Sequence, residues 1–115
     1  MMKIIIVEDK ISLNELKKIA EEFYTSMIKG VVDIERGIVA FGGEYHMDAN
    51  VVLLNNQSEQ KNIWGFNLYF NKPKDSWLEY TSLINIRPLA DNNDMEVQNN
   101  SIREKMKEII NSKIT

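Results

Sequence analysis

A chain of 115 residues with a net charge of −3 fits one domain around one core, and its 43% apolar and 27% charged shares are those of a folded chain. The complete lack of cysteine excludes disulfides, thiolate catalysis and cysteine-ligated zinc, and it suits a reducing compartment. The acidic balance argues against nucleic acid as a partner, since phosphate recognition needs clustered Lys and Arg. No apolar run approaches the roughly 18 residues of a membrane span, and the amino terminus lacks an export signal, so the expected location is cytoplasmic.

Ile4–Val7 is a short, wholly apolar, β-branched run and predicts a strand buried on both faces. Ser12 and Glu15 have the S-x-x-E spacing of a capping box. Leu13, Leu16, Ile19, Ala20, Phe23 and Met27 follow at helical intervals, with Lys17, Lys18, Glu21 and Glu22 on the wet side. Gly30 reads as the stop, so the pattern predicts a helix over 12–29. Beyond it the period shortens to two, predicting strands at 31–35, 38–41, 46–54, 64–70 and 82–87. The breaks are Arg36-Gly37, Gly42-Gly43, and the polar stretches 55–62 and 71–75, and Pro88 ends the last strand. Met95-Glu96-Val97 reads as a short extended piece. Ser101 with Glu104 opens a final helix over 101–113, whose Ile102, Met106, Ile109 and Ile110 share a face. Trp64 and Trp77 read as core residues. Thirteen asparagines and fifteen isoleucines read as base bias in the coding sequence, with no function attached.

The expected architecture is therefore a single α+β domain over 1–115. A curved, mainly antiparallel sheet of five to six strands carries two packed helices, 12–29 and 101–113. The first strand, being followed by a helix, could run parallel to a later one.

If Gly42-Gly43 is a two-residue hairpin turn, Glu44, His46 and Asp48 alternate onto one side of the next strand. Asn67 and Tyr69, then Asn85 and Arg87, alternate likewise in the later strands. The shared period of two brings these residues to one polar face, joined by Asp33 or Glu35. A solvated face would carry more lysine; amides, acids, an imidazole and a guanidinium can instead build a fixed hydrogen-bond network.

From that face the candidate catalytic residues are His46, Asp48 and Arg87, and the candidate ligand-binding residues are Glu35, Glu44, Asn67, Tyr69 and Asn85. His46 would be the general base, Asp48 or Glu44 would orient it, and Arg87 would hold an anion. No metal ligand is assigned and no cofactor is expected. A single histidine rules out a His-rich zinc site, so any metal at Glu44-x-His46-x-Asp48 would be a carboxylate-bound Mg²⁺ or Mn²⁺. No phosphate loop, G-x-S-x-G or dinucleotide fingerprint names a reaction. The leading expectation is a binding or assembly module that self-associates as a homodimer. A small hydrolase is the alternative, and an RNA-directed toxin ranks last because the chain is acidic.

Four stretches carry a resemblance: 32–38, Gly42-Gly43-Glu44-x-His46-x-Asp48-Ala49, Trp64-Gly65-x-Asn67-Leu68-Tyr69, and 82–88. Together they resemble a family of short prokaryotic proteins grouped as a domain of unknown function, over most of the chain from about Val31 onward. Residues 91–94 depart from that pattern, which implies a basic residue near Asn92. The resemblance implies a single prokaryotic domain and transfers no activity, cofactor or partner.

Overall fold

Asp33 turns the chain at the centre of the sheet. Its buried carboxylate accepts hydrogen bonds from the Glu35 and Arg36 amides, both at 2.9 Å, and Gly37 takes the positive φ of +68° that closes the turn. The hairpin so formed joins β2 (Met27–Asp33) to β3 (Ile38–Gly42). The computed structural model describes residues 2–115. Its remaining elements are β1 (Ile4–Val7), α1 (Leu13–Ala20), α2 (His46–Asn55), β4 (Ile63–Tyr69), β5 (Leu78–Glu79) and α3 (Asn100–Lys113). The five strands lie in the order β1-β3-β2-β4-β5, and every pairing is antiparallel.

Alternation along the strands splits the core in two. Ile28, Val32, Val39, Phe41, Trp64, Phe66 and Leu68 pack on one face against Leu16 and Ile19 of α1 and Met106 and Ile110 of α3. Val31, Ile38, Ala40 and Ile63 pack on the other against Ala49 and Leu53 of α2. Helices thus cover both sides, while α2 covers only part of its own side. No helix among the described residues is long and apolar enough to cross a membrane.

The α+β class and the antiparallel sheet agree with the sequence; several elements do not. The helix expected over 12–29 stops at Ala20. The aromatic and polar run Phe23-Tyr24-Thr25-Ser26 is poor helix material, and residues 27–33 instead pair with all of β4, from Met27 opposite Tyr69 to Asp33 opposite Ile63. Gly30 is therefore a strand residue, and a Cβ there would sit 2.4 Å from the Phe66 ring. The strand expected over 46–54 is α2, a third helix. Gly42 and Gly43 do adopt positive φ (+118° and +93°), but they lead into a helix start, not a two-residue hairpin. Being apolar on nearly every side, α2 shows no 3.6-residue period, and Val51-Val52 imitates a strand. The first strand is antiparallel to β3 and lies at the sheet's edge, with Ile4, Ile5 and Ile6 only half-buried. The last helix is capped by Asn99, whose side chain accepts from the Ile102 amide at 3.1 Å, so Ser101 lies inside the helix.

The strand expected over 82–87 is replaced by a 3-10 turn, Leu83–Asn85, with the Ser82 side chain capping the Ile84 amide. It still serves as the neighbour of β4, by another means. The Asn85 carboxamide accepts from Gly65 N–H at 2.8 Å and donates to Gly65 C=O at 3.0 Å and Met95 C=O at 3.1 Å. Gly65 is required for this approach, because a Cβ there would lie 2.6 Å from Ser82 Cβ. Asn92 continues the network, donating to the Asn85, Asp94 and Glu96 carbonyls and accepting from the Gln98 amide. At the far end the chain termini are stitched together. Ile11 N–H donates to Lys113 C=O at 2.7 Å, Thr115 N–H donates to Ile11 C=O at 3.0 Å, and Ile11 faces Ile114 in a parallel bridge.

Asn85→Ala would leave the buried N–H and C=O of Gly65 without partners, while Met95 C=O keeps the Ser82 amide, a loss of about 2 kcal/mol or more. Urea unfolding measures it. A loss under about 1 kcal/mol would mean that water replaces the amide and that the turn does not depend on it.

Candidate functional site

Where α2 stops covering its side of the sheet, a cavity of about 700 Å³ opens. Lys29 on β2 and Asn67 on β4 lie directly opposite each other in the ladder and form its floor, with Thr81 and Ser82 beside them. His46 and Asp48 enter from the first turn of α2. Tyr45, Met47, Leu83, Ile84 and Met95 supply an apolar rim, and all but the half-buried Ile84 are exposed. This volume lies within the roughly 300–1,000 Å³ of small-molecule sites, and an apolar lining with a few convergent polar groups is their usual composition.

His46 is buried, and its Nε2 lies 2.9 Å from the Phe66 carbonyl. A carbonyl only accepts, so Nε2 carries the proton and Nδ1 is the bare acceptor of the neutral ring. The imidazole pKa is lowered to about 4, chiefly by burial and further by the Lys29 charge, against the opposing pull of Phe66 C=O, Asn67 and Glu79. Burial also lowers the Lys29 ammonium from its ordinary value, with Glu79 opposing. Its one hydrogen bond is a long one, to Asn67 Oδ1 at 3.5 Å, and its charge lies 5.6 Å from the centre of the Tyr24 ring.

The Asp48 carboxylate is occupied at the helix start, one oxygen accepting from the Glu44 and Tyr45 amides at 3.0 and 2.9 Å. Glu44 itself is exposed, and its carbonyl accepts from Tyr24 Oη at 2.5 Å. Tyr69 and Asn67 both donate to Glu79, at 3.0 and 2.8 Å, on the edge of the cavity. The Tyr69 hydroxyl is raised by burial and by that carboxylate.

Of the residues expected on one polar face, His46, Asp48 and Asn67 meet around this cavity, with Tyr69 just outside. Asn85 is consumed by the backbone of Gly65. Arg87 is consumed likewise: it donates to the carbonyls of Ile84, Lys61 and Ile63 and stacks on Trp64 with its guanidinium carbon 4.3 Å from the ring centre. Its anchor at Ile63 lies three residues along β4 from that of His46, roughly 10 Å of strand. Glu35 is exposed in the β2–β3 turn, at the opposite end of β2 from Lys29. Among the described residues no three His or acidic side chains come together to hold a metal ion. Glu44-x-His46-x-Asp48 lies on a helix start, where neighbours two apart diverge.

Lys29, Thr81, Ser82, Met47, Leu83 and Met95 were not legible as site residues. Lys29 fell inside the expected helix. Its alternation with Ile28 and Gly30, read with period two, was the one available signal.

A family model described as "Protein of unknown function (DUF5674)" matches residues 5–113. No curated protein and no solved structure matches the chain.

His46 supplies a test of this geometry. Its lowered pKa means that the unfolded chain takes up a proton near pH 6.5 while the folded protein resists until about pH 4. The stability it contributes is fully present above 6.5 and drains away as pH falls from 6.5 towards 4, by up to about 3 kcal/mol. As the one histidine in the sequence, its ring proton resonances are unambiguous. An NMR titration should find a midpoint near 4; a midpoint near 6.5 would put the ring in water and remove it from the cavity wall.

Proposed function

The chain belongs to the DUF5674 family, whose function is unknown, and we propose from the geometry of its cavity that it is a non-enzymatic binding module for a small, largely apolar ligand. The observation that carries this reading is the half-open cavity, whose apolar rim surrounds a few polar groups on the sheet. Met47 and Met95 on that rim are flexible and polarisable, well suited to moulding around a guest. Two of the groups that hydrolysis would need are otherwise engaged, Asp48 at the helix start and Arg87 on backbone, and the third, His46, has a free Nδ1 of low proton affinity. A general base works best with a pKa near the working pH, and a base near 4 is weak.

Nile red, a neutral dye that brightens and shifts blue in apolar surroundings, is the probe for this reading. It should bind saturably, one per chain. Met47→Glu and Met95→Glu should each weaken it about fivefold or more, as expected for losing a partly buried apolar contact. Absence of saturable binding, or indifference to both substitutions, would refute the cavity as a binding site.

A second reading, self-association as a homodimer, is favoured by one specific feature. Met47, Val51 and Leu54 form an exposed stripe along α2, and Leu83 stands 73% exposed on the adjoining turn. If that stripe is an interface, sedimentation at micromolar concentration gives twice the chain mass of 13.4 kDa, and Val51→Glu with Leu83→Glu returns the monomer. A wild-type monomer under the same conditions would end this reading.

A further inference from the structure

We propose that the cavity on the α2 side of the sheet selects an apolar monocarboxylate, with its head on Lys29 and its tail between Met47, Leu83, Ile84 and Met95. The inference rests on the binding-module reading above and specifies the ligand for it. Lys29 Nζ carries three donors, and its one hydrogen bond is the long one to Asn67 Oδ1. The two ion pairs among the described residues are Lys61–Glu59 and Arg103–Glu96, so no carboxylate lies within 4.0 Å of Lys29. A half-buried ammonium on the floor of an apolar cavity, with two donors unspent, is short of an acceptor.

The neighbouring acids do not fill that place. Asp48, the other charge on the lining, accepts from the Glu44 and Tyr45 amides, and Glu79 accepts from Asn67 and Tyr69. The count of charges also selects the head group. The lone ammonium offsets a single negative charge, whereas a phosphate dianion would add excess charge beside Asp48 and Glu79 in a poorly hydrated place. The Thr81 hydroxyl can donate to the second carboxylate oxygen. An alkyl or aryl tail continuing outward meets only apolar side chains on the rim.

Isothermal titration calorimetry on the full chain, with octanoate, octanol and octyl phosphate as probes, tests this. Octanoate should bind one per chain, about tenfold more tightly than octanol, as a charge-assisted hydrogen bond implies. Lys29→Gln should abolish that preference, and Lys29→Arg should keep it. Octanol binding as tightly as octanoate, octyl phosphate binding more tightly than octanoate, or an unchanged preference in Lys29→Gln would each overturn the carboxylate assignment while leaving the cavity reading intact. Failure of all three probes to bind would overturn both.

Discussion

The carboxamide of Asn85 holds together the half of the molecule on which the cavity depends. β4 is paired along its whole length on one side by β2, but on the other side β5 covers only Asn67 and Leu68. Gly65, deeper in the sheet, has β2 on one side and no strand on the other. A buried amide and carbonyl left open would be costly. One asparagine side chain, being itself an amide, supplies the donor and the acceptor that a neighbouring strand would have offered. Because it also grips Met95, the same group fixes the return segment, and Asn92 extends that grip to residues 94–98.

This substitution of side chain for strand creates the space. A continuous fifth strand would have carried its own row of side chains across the α2 side of the sheet. A 3-10 turn instead sets Leu83 and Ile84 at the cavity's margin and leaves Lys29 and Asn67 facing open volume. α2 is pinned at one end by the bond from His46 to Phe66, so it roofs Ile38, Ala40 and Ile63 and goes no further. The imidazole's low proton affinity follows from that pinned position: a ring that bridges two layers cannot stay hydrated.

The sequence conveyed what local chemistry decides and missed what distant pairing decides. Ser12 caps α1 through the Glu15 amide, Arg36-Gly37 turns the β2–β3 hairpin, and Ile102, Met106, Ile109 and Ile110 bury one side of α3, all as expected. Residues 27–30 fit a helical stripe equally well, and only the presence of β4 opposite them selects the strand. In α2 the error was of period: a helix roofed on one side and apolar on the other gives no contrast to read. At the site, the polar alternation at Asn67 was real, but Asn85 and Arg87 turned out to serve the backbone. Asparagine abundance looked like base bias, and at positions 85 and 92 it is architecture. Nothing in a string of residues distinguishes an amide that will meet a ligand from one that will meet a glycine.

The stitched termini have a consequence for how the molecule is assembled. The Thr115 hydroxyl reaches the Ile11 carbonyl across 104 positions, among the longest separations in the fold. Closing a loop of that length costs on the order of 4 kcal/mol in chain entropy, whereas the β2–β3 turn closes over a handful of residues. The hairpin is thus the cheap early event and the seam between residues 11 and 114 the late one. The segment before α1 stays unpaired until residues 113–115 dock beside it, whereas α1 itself already has β2 and β3 to pack against.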